Sequence, residues 1–342
     1  LWDAVGIGSG TGGAMRRVSL ADVAKAAGVA KATASRALSA RDQDVGAATR
    51  ARILEVAADL GYQPNRAAQS LRTGRSRVLA VAVPSGRTGW EGVLAGAVAQ
   101  ASRRGYQLVL HSPGKNEGAE DAFARLPADG LLAIAPGRAW EAPVPADGAV
   151  LPAVVVDDTV EHSSGTVVRT ALWHAGRAAG VHLAAQGRTR LAVLAEAAGP
   201  LIDGFAAACA EAGLRQPEVV VAPSVLAVDA DGFFAVTPAL AARAVTGFRR
   251  AGLTVPGDVS AVAFGDGELA RHADPPLTVV RPLWGALGAR AVDVLVDAVE
   301  DVAVAPATVE LAAELVVRES SVPERSASQP PGRPGHPRID QS

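Results

Sequence analysis

The feature that most restricts this chain is a change of hydrophobic period at Val78. Beyond it, short runs dense in Val, Leu, Ile and Ala alternate with longer amphipathic stretches: VLAVAVP, a helical pattern over 90–103, YQLVLH, another over 117–125, GLLAIAP, then AVVVDD. Strands that are apolar on both faces and joined through helices predict a parallel sheet covered on both sides. A second set follows, with a helix over 174–186, RLAVLAE, a helix over 202–212, EVVVAP, a helix over 238–251, VSAVAFGD and a long helix over 284–299. So many elements exceed one hydrophobic core, and the pattern predicts two similar α/β lobes.

Before Val78 the period is helical. Ser19 stands three residues before Asp22, a capping-box spacing, and Leu20, Val23, Ala24 and Ala27 then recur on one face. This predicts a helix over 20–27, a tight turn at Gly28 and a second helix over 31–38. In the second helix Ala34 and Leu38 face inward while Lys31, Ala32, Ser35 and Arg36 face outward. A third helix over 47–60 covers both through Ile53, Leu54, Ala57 and Leu60 and stops at Gly61. Pro64 then forces extension, and Asn65 caps a short helix over 66–71. That helix is below the roughly 12 to 15 residues that are marginal in water, so its order depends on a partner.

Charge divides at the same place. Residues 16–77 carry 12 basic and 5 acidic side chains, a local charge of +7, which leaves −9 for the rest of a chain whose net charge is −2. Only the first segment attracts a polyanion. The chain is 49% hydrophobic and 20% charged, and no apolar run approaches the roughly 20 residues of a membrane-spanning helix.

Catalytic and metal chemistry find little support. His111, His162, His174, His182 and His272 lack metal-ligand spacing, and the single cysteine, Cys209, sits among alanines as a small hydrophobe. Gly8, Gly10 and Gly13 fit G-x-G-x-x-G but follow no strand. We therefore expect no enzyme activity, no metal and no cofactor. One cysteine makes no internal disulfide, which fits a cytoplasmic protein. The only methionine is Met15, so residues 1–15 are set apart as a disordered leader, and the Ser-, Pro- and Gly-rich stretch 320–342 as a disordered tail.

The run VSLADVAKAAGVAKATASRALS, followed by ATRARILEVAADLGYQPNRAAQSLRTGRS, closely resembles the start of the lactose and galactose repressor (LacI/GalR) family. The likeness continues more loosely through GLTVPGDVSAVAFGD, PPLTVVRP and ELVVRES. It implies an all-α helix-turn-helix headpiece over 16–63, a hinge helix and linker over 64–77, and a two-lobed periplasmic-binding-protein-like core of doubly wound parallel sheets over 78–319. That core would bind a small-molecule effector and form the homodimer.

The resemblance places DNA-binding residues at Ser19, Lys31, Ala32, Thr33, Ser35, Arg36, Asn65, Arg66, Ala68 and Leu71. Lys31 and Ala32 occupy the family's main base-reading positions: Lys31 donates to guanine, whereas Ala32 offers only apolar contact to a thymine methyl. Thr33 and Ser35 suit phosphate contacts. Ala30 departs from a common serine and removes a cap. Leu71 would wedge into the minor groove, with Asn65 and Arg66 on the adjacent backbone and Ala68 letting two hinge helices pack closely.

In the effector pocket the family pattern implies Asp157, Trp90, Trp284 and Asp266, with Arg87 and Trp173 as looser additions. Here the sequence departs from the family: Thr237–Pro238 and Gly265–Asp266 stand where polar pairs are usual, and AAGPLIDG lacks the expected arginine. Such a pocket suits an aromatic or apolar metabolite as well as a sugar ring.

The leading expectation is a repressor that binds a palindromic operator in double-stranded DNA and answers to a small molecule, as inducer or as corepressor. The alternatives are a regulator whose degenerate pocket has yielded control to a protein partner or to nothing, and a sugar-binding transport or sensor protein, against which the basic segment argues.

Overall fold

The computed structural model describes residues 18–38, 45–62, 74–83, 89–111, 127–135, 139–140, 151–160, 162–163, 165–221, 229–300 and 307–322. The expected helix over 117–125, residues 1–15, and the positions Asn65, Arg66, Ala68, Leu71 and Arg87 lie outside the described residues. The chain separates into two compact units, 1–76 and 77–342.

The first unit holds α1 (Leu20–Ala26), α2 (Lys31–Ala37) and α3 (Ala47–Asp59). Ser19 and Asp22 form a full capping box at α1: the serine hydroxyl donates to Asp22 Oδ2 at 2.7 Å and the Ser19 amide donates to the same oxygen at 2.9 Å. Gly28 supplies the turn with φ +63°, a left-handed conformation that costs glycine nothing. Val23, Ala24, Ala27, Ala34, Ala37, Ile53 and Ala57 make the core, with Leu38 and Tyr62 packed at its edge. α2 turns Ala34 and Leu38 inward as expected and buries Ala37 with them. One sequence expectation needs correction: Leu54 and Leu60 remain 47% and 39% exposed. The inward stripe of α3 is the i, i+4 pair Ile53 and Ala57, and a residue one position on points about 100° away from it.

The second unit contains two six-stranded sheets. β1 (Val78–Ala82), β2 (Gln107–His111), β3 (Gly130–Ile134), β5 (Ala153–Val156), β7 (Thr166–Thr170) and β13 (Thr308–Leu311) form a parallel sheet in the order β2–β1–β3–β5–β7–β13. β8 (Leu191–Ala195), β9 (Glu218–Val221), β10 (Gly232–Ala235), β11 (Ser260–Phe264) and β12 (Thr278–Arg281) form the second in the order β9–β8–β10–β11–β12. Its edge strand β14 (Glu314–Val316) runs antiparallel to β12. A small parallel pair, β4 (Ala139–Trp140) with β6 (His162–Ser163), completes the strands. All five residues of GLLAI in β3 and of LAVLA in β8 are buried, as strands covered on both faces must be.

The helices are α4 (Glu91–Arg104), α5 (Leu172–Ala185), α6 (Pro200–Glu211), α7 (Pro238–Arg250), α8 (Glu268–His272) and α9 (Trp284–Val299). Chain order and spatial order differ. α9 follows the second sheet in sequence yet packs on β3, β5 and β7 of the first, while α5 follows the first sheet and packs on β10, β11 and β12 of the second. The chain therefore passes between lobes three times, after Thr170, after Arg281 and after Leu311. The tail was expected from residue 320, but Ser320 and Ser321 are fully buried. The Ser320 hydroxyl donates to the Ala261 carbonyl at 2.7 Å and accepts from the Thr278 amide at 2.8 Å, so the second lobe holds the chain that far.

Candidate nucleic-acid interface and effector residues

At α2 the sequence leaves one face free of large apolar groups, and the structure exposes Lys31, Ala32 and Arg36 there, with Thr33 and Ser35 half-buried at its margin. Ala30 gives α2 no side-chain cap, so its first-turn amides carry no partner from that residue. The Arg36 Nε lies 3.5 Å from the Ala32 carbonyl, which folds the guanidinium along its own helix. The Ser19 hydroxyl is engaged in the capping box and fixes the start of α1. A short helix with a basic N-terminal face, backed by a complete small core, is shaped to enter a major groove.

In the second unit, five sequence-predicted effector residues sit just beyond strand carboxyl ends or lobe crossings. Trp90 is the N-cap of α4, Asp157 follows β5, Trp173 is the second residue of α5, Asp266 follows β11, and Trp284 opens α9. Trp90 and Trp284 both pack against the first lobe's core, and Trp284 lies over Gly92, where an added Cβ would sit 2.8 Å from the tryptophan Cβ. Both therefore belong to the first lobe. Trp173 belongs to the other lobe, 38% exposed, with its ring edge-on to His174 at 5.1 Å.

The two acids behave differently from each other. Asp157 is 6% exposed, and its Oδ1 accepts from the amide and the hydroxyl of Thr159, both at 2.7 Å. The Asp266 side chain is only 2% exposed and accepts two hydrogen bonds from Arg318 Nη2, at 3.0 and 2.9 Å. Arg271 and Arg281 stand 3.7 and 3.9 Å away. Asp266 is held internally here: pairing of β14 with β12 delivers Arg318 from 52 residues away and places the acid at the centre of an ion cluster.

Sequence reasoning passed over Asp158. Its Oδ1 accepts from the Thr170 amide at 2.6 Å, at the residue where the chain first leaves the lobe. Burial pushes its carboxyl up to about 6, opposed by the hydrogen bond from the Thr170 amide and helped by the neighbouring Asp157 charge. The only signal in the sequence was the doubled aspartate after AVVV. At the other crossings Arg281 Nη2 donates to Glu314 at 2.7 Å and Arg169 Nε to Glu310 at 2.9 Å.

Comparison with known proteins bears directly on this arrangement. Residues 19–65 match the family described as "Bacterial regulatory proteins, lacI family", and residues 181–321 a "Periplasmic binding protein-like domain". The HTH-type transcriptional regulator CelR of Thermobifida fusca is 30% identical over 339 residues, spanning 89% of this chain and 98% of CelR. The chain belongs to the LacI family. This LacI-family protein is a DNA-binding regulator of transcription, and members of its family are regulators, not enzymes. A solved complex of CelR with cellobiose matches it with a TM-score of 0.59 at 26% identity, covering 89% of this chain and 100% of that one. The lac repressor dimer bound to operator and the anti-inducer ONPF matches at 0.64, 22% identity and 90% of this chain, a likeness of fold. Among the described residues, no group of three or more His, Cys, Asp or Glu side chains is placed to hold a metal, and no helix is long and apolar enough to cross a membrane.

Proposed function

We propose that this regulator is a repressor that binds a palindromic operator as a homodimer and changes its affinity when a small molecule enters between the two lobes. The observation that carries the reading is the exposed Lys31, Ala32 and Arg36 face of α2 on a capped, fully packed helix-turn-helix, covalently joined to a body that the chain crosses three times. Lys31 and Arg36 read guanine edges, Ala32 meets a thymine methyl, and Thr33 and Ser35 hold phosphates. Ser19 contributes by fixing the start of α1. Asn65, Arg66, Ala68 and Leu71 form the hinge, with Leu71 as the minor-groove wedge. The working compartment is the cytoplasm, where the operator is.

Two copies meet along the first lobe. Val98 on α4 and Leu110 on the edge strand β2, which shares the α4 side of the sheet with Leu108, are both 48% exposed and support a dimer contact. The effector lies against Trp90, Trp284, Trp173 and Asp157, with Arg87 beside them, and presents an aromatic or pyranose face to the tryptophans. A second reading, in which the pocket has lost its ligand, draws on the closure of Asp266 by Arg318. Melting-temperature shifts with cellobiose and with aromatic metabolites separate the two, because binding to the folded state alone must raise the transition.

Selection of bound fragments from genomic DNA at fixed salt tests the whole proposal. The expected result is a palindrome whose affinity falls at least tenfold on Leu71→Ala. Recovery of DNA without any common sequence sinks it.

A further inference from the structure

Arg77 is the first residue of the body, and five features converge on it. Its φ is +59°, a left-handed conformation rare for a residue with a side chain. Its amide donates to Asp129 at 2.8 Å, and its carbonyl accepts from the Gln107 amide at 2.9 Å. Its guanidinium lies 4.9 Å from the centre of the Tyr106 ring and donates to Glu300 Oε1 at 3.0 Å. Glu300 is the C-cap of α9.

α9 is in turn bound to α4 along its length. Arg104 reaches Asp293 at 3.0 Å, Asp297 at 2.8 Å and Glu300 at 3.5 Å. A Cβ at Gly96 would overlap the carbonyl of Gly285, and one at Gly288 that of Val93, so the two backbones are in direct contact. The opposite end of α9 begins at Trp284, three residues after the chain leaves Arg281 in the other lobe. One stiff 16-residue helix, about 24 Å long at about 1.5 Å per residue, thus runs from a lobe crossing to the residue that roots the linker.

We propose that Arg77 is a positioning residue: clamped to α9 through Glu300, it fixes the place and direction in which the linker leaves the body. Movement of α9 at the crossing is then delivered to the linker root. In a dimer, the two roots set the half-site spacing that the DNA-reading units can span. The inference rests on the dimeric operator reading above. It concerns spacing alone, since Arg77 touches no DNA in this scheme.

The test compares the palindrome selected by the wild-type full chain with the same palindrome carrying one central base pair more, which lengthens it by about 3.4 Å and turns one half-site relative to the other. Arg77→Gly keeps the left-handed backbone without strain and removes the clamp, and Glu300→Gln weakens it from the other side. Wild type should bind the lengthened site at least tenfold more weakly. Arg77→Gly should cut that penalty to threefold or less, Glu300→Gln should reduce it partly, and Arg77→Lys should retain most of it. A merely structural role would lower the melting temperature and leave the ratio between the two sites unchanged. Folded Arg77→Gly and Glu300→Gln proteins that keep the wild-type ratio overturn the proposal. Failure of wild type to select any palindrome is seen before a variant is made, and it removes the operator reading together with this one.

Discussion

The two lobes solve one packing problem in the same way and finish it differently. In each, the helix that arrives from the other lobe lies backbone to backbone on the lobe's first helix: α9 on α4 through Gly96 and Gly288, α5 on α6 through Gly176 and Gly204. The first lobe then ties its pair together with partly exposed charges, Arg104 with Asp293 and Asp297 and Arg77 with Glu300. In the second lobe the glycine-packed pair of helices carries the exposed pair Arg177 with Glu211, and α5 is also bonded on its inner side, where His182 shares a hydrogen bond with Ser321 at 2.8 Å and Ser321 another with Thr278 at 2.7 Å. Glycine lets each pair of helices touch backbone to backbone. The added bonds differ in what weakens them: salt screens the charges between α4 and α9, whereas the buried hydrogen bonds behind α5 are shielded from it.

The shared part of this comparison breaks first. Gly288→Ala and Gly204→Ala each drive a methyl into a backbone carbonyl, of Val93 and of Trp173, which no side-chain rotation relieves. Each should cost about 3 kcal/mol or more in urea unfolding, and a loss below about 1 kcal/mol at either position would end the claimed equivalence of the two seams.

Next in size is Arg318→Ala. It leaves the Asp266 carboxylate buried, with only the longer contacts to Arg271 and Arg281. Breaking a well-buried pair costs about 3–5 kcal/mol, and the remaining arginines reduce this to about 2–3 kcal/mol. An unchanged unfolding midpoint would mean that Arg318 does not hold the Asp266 carboxylate in the folded protein.

The lobes should also answer pH with opposite signs. Asp158 titrates near 6 in the folded protein against an ordinary value of 3.8. Between those values the folded state holds its proton more tightly than the unfolded chain, so stability falls as pH rises through that window, and the cost persists above it. Asp158→Asn keeps an acceptor for the Thr170 amide and removes the ionisation. It should stabilise the protein at pH 7 by on the order of 2 kcal/mol and change little near pH 4. Burial holds His182 below its ordinary 6.5. The unfolded chain therefore binds the proton first, and the stability contributed by the neutral ring is lost as pH falls through and below that value. His182→Gln should flatten this acid-side loss. Parallel pH profiles of the two variants against wild type would contradict the assignment.

The smallest effect separates the charges. Arg104→Ala, with three acidic neighbours, should cost about 1 kcal/mol, and the cost should shrink in high salt. Arg177→Ala on the exposed pair should leave the transition where it was. Equal responses would mean that the first lobe's network acts as isolated surface pairs.

Much of this architecture was legible in residue order. The helices around 91–104, 172–185, 200–211, 238–250 and 284–299 lie within two residues of their periodic patterns. β10 was passed over because it offers only GFFA, reached from β9 by ten residues, too short a connection to continue the strand–helix alternation. Leu54 and Leu60 were misplaced because a helical pattern marks a broad apolar side and leaves the packed stripe to the neighbouring helices. Among the candidate site residues, the outward face of α2 could be read from its own turn. Asp266 could not, because its partner lies 52 positions away.

By itself, then, the sequence determined the helix-turn-helix, its cap, its exposed basic face, the division of charge at Val78 and the existence of two sheets. Each of these follows from spacing within a few turns or strands, which local sterics and hydrophobic period dictate. Only the tertiary structure decided which lobe each crossing helix joins, that Arg318 closes Asp266, that Asp158 guards the first crossing, and that Arg77 is clamped to the end of α9. Those are pairings between residues as far as 223 positions apart, as between Arg77 and Glu300. They come into being only when strand order brings distant segments side by side, and no local pattern records that order.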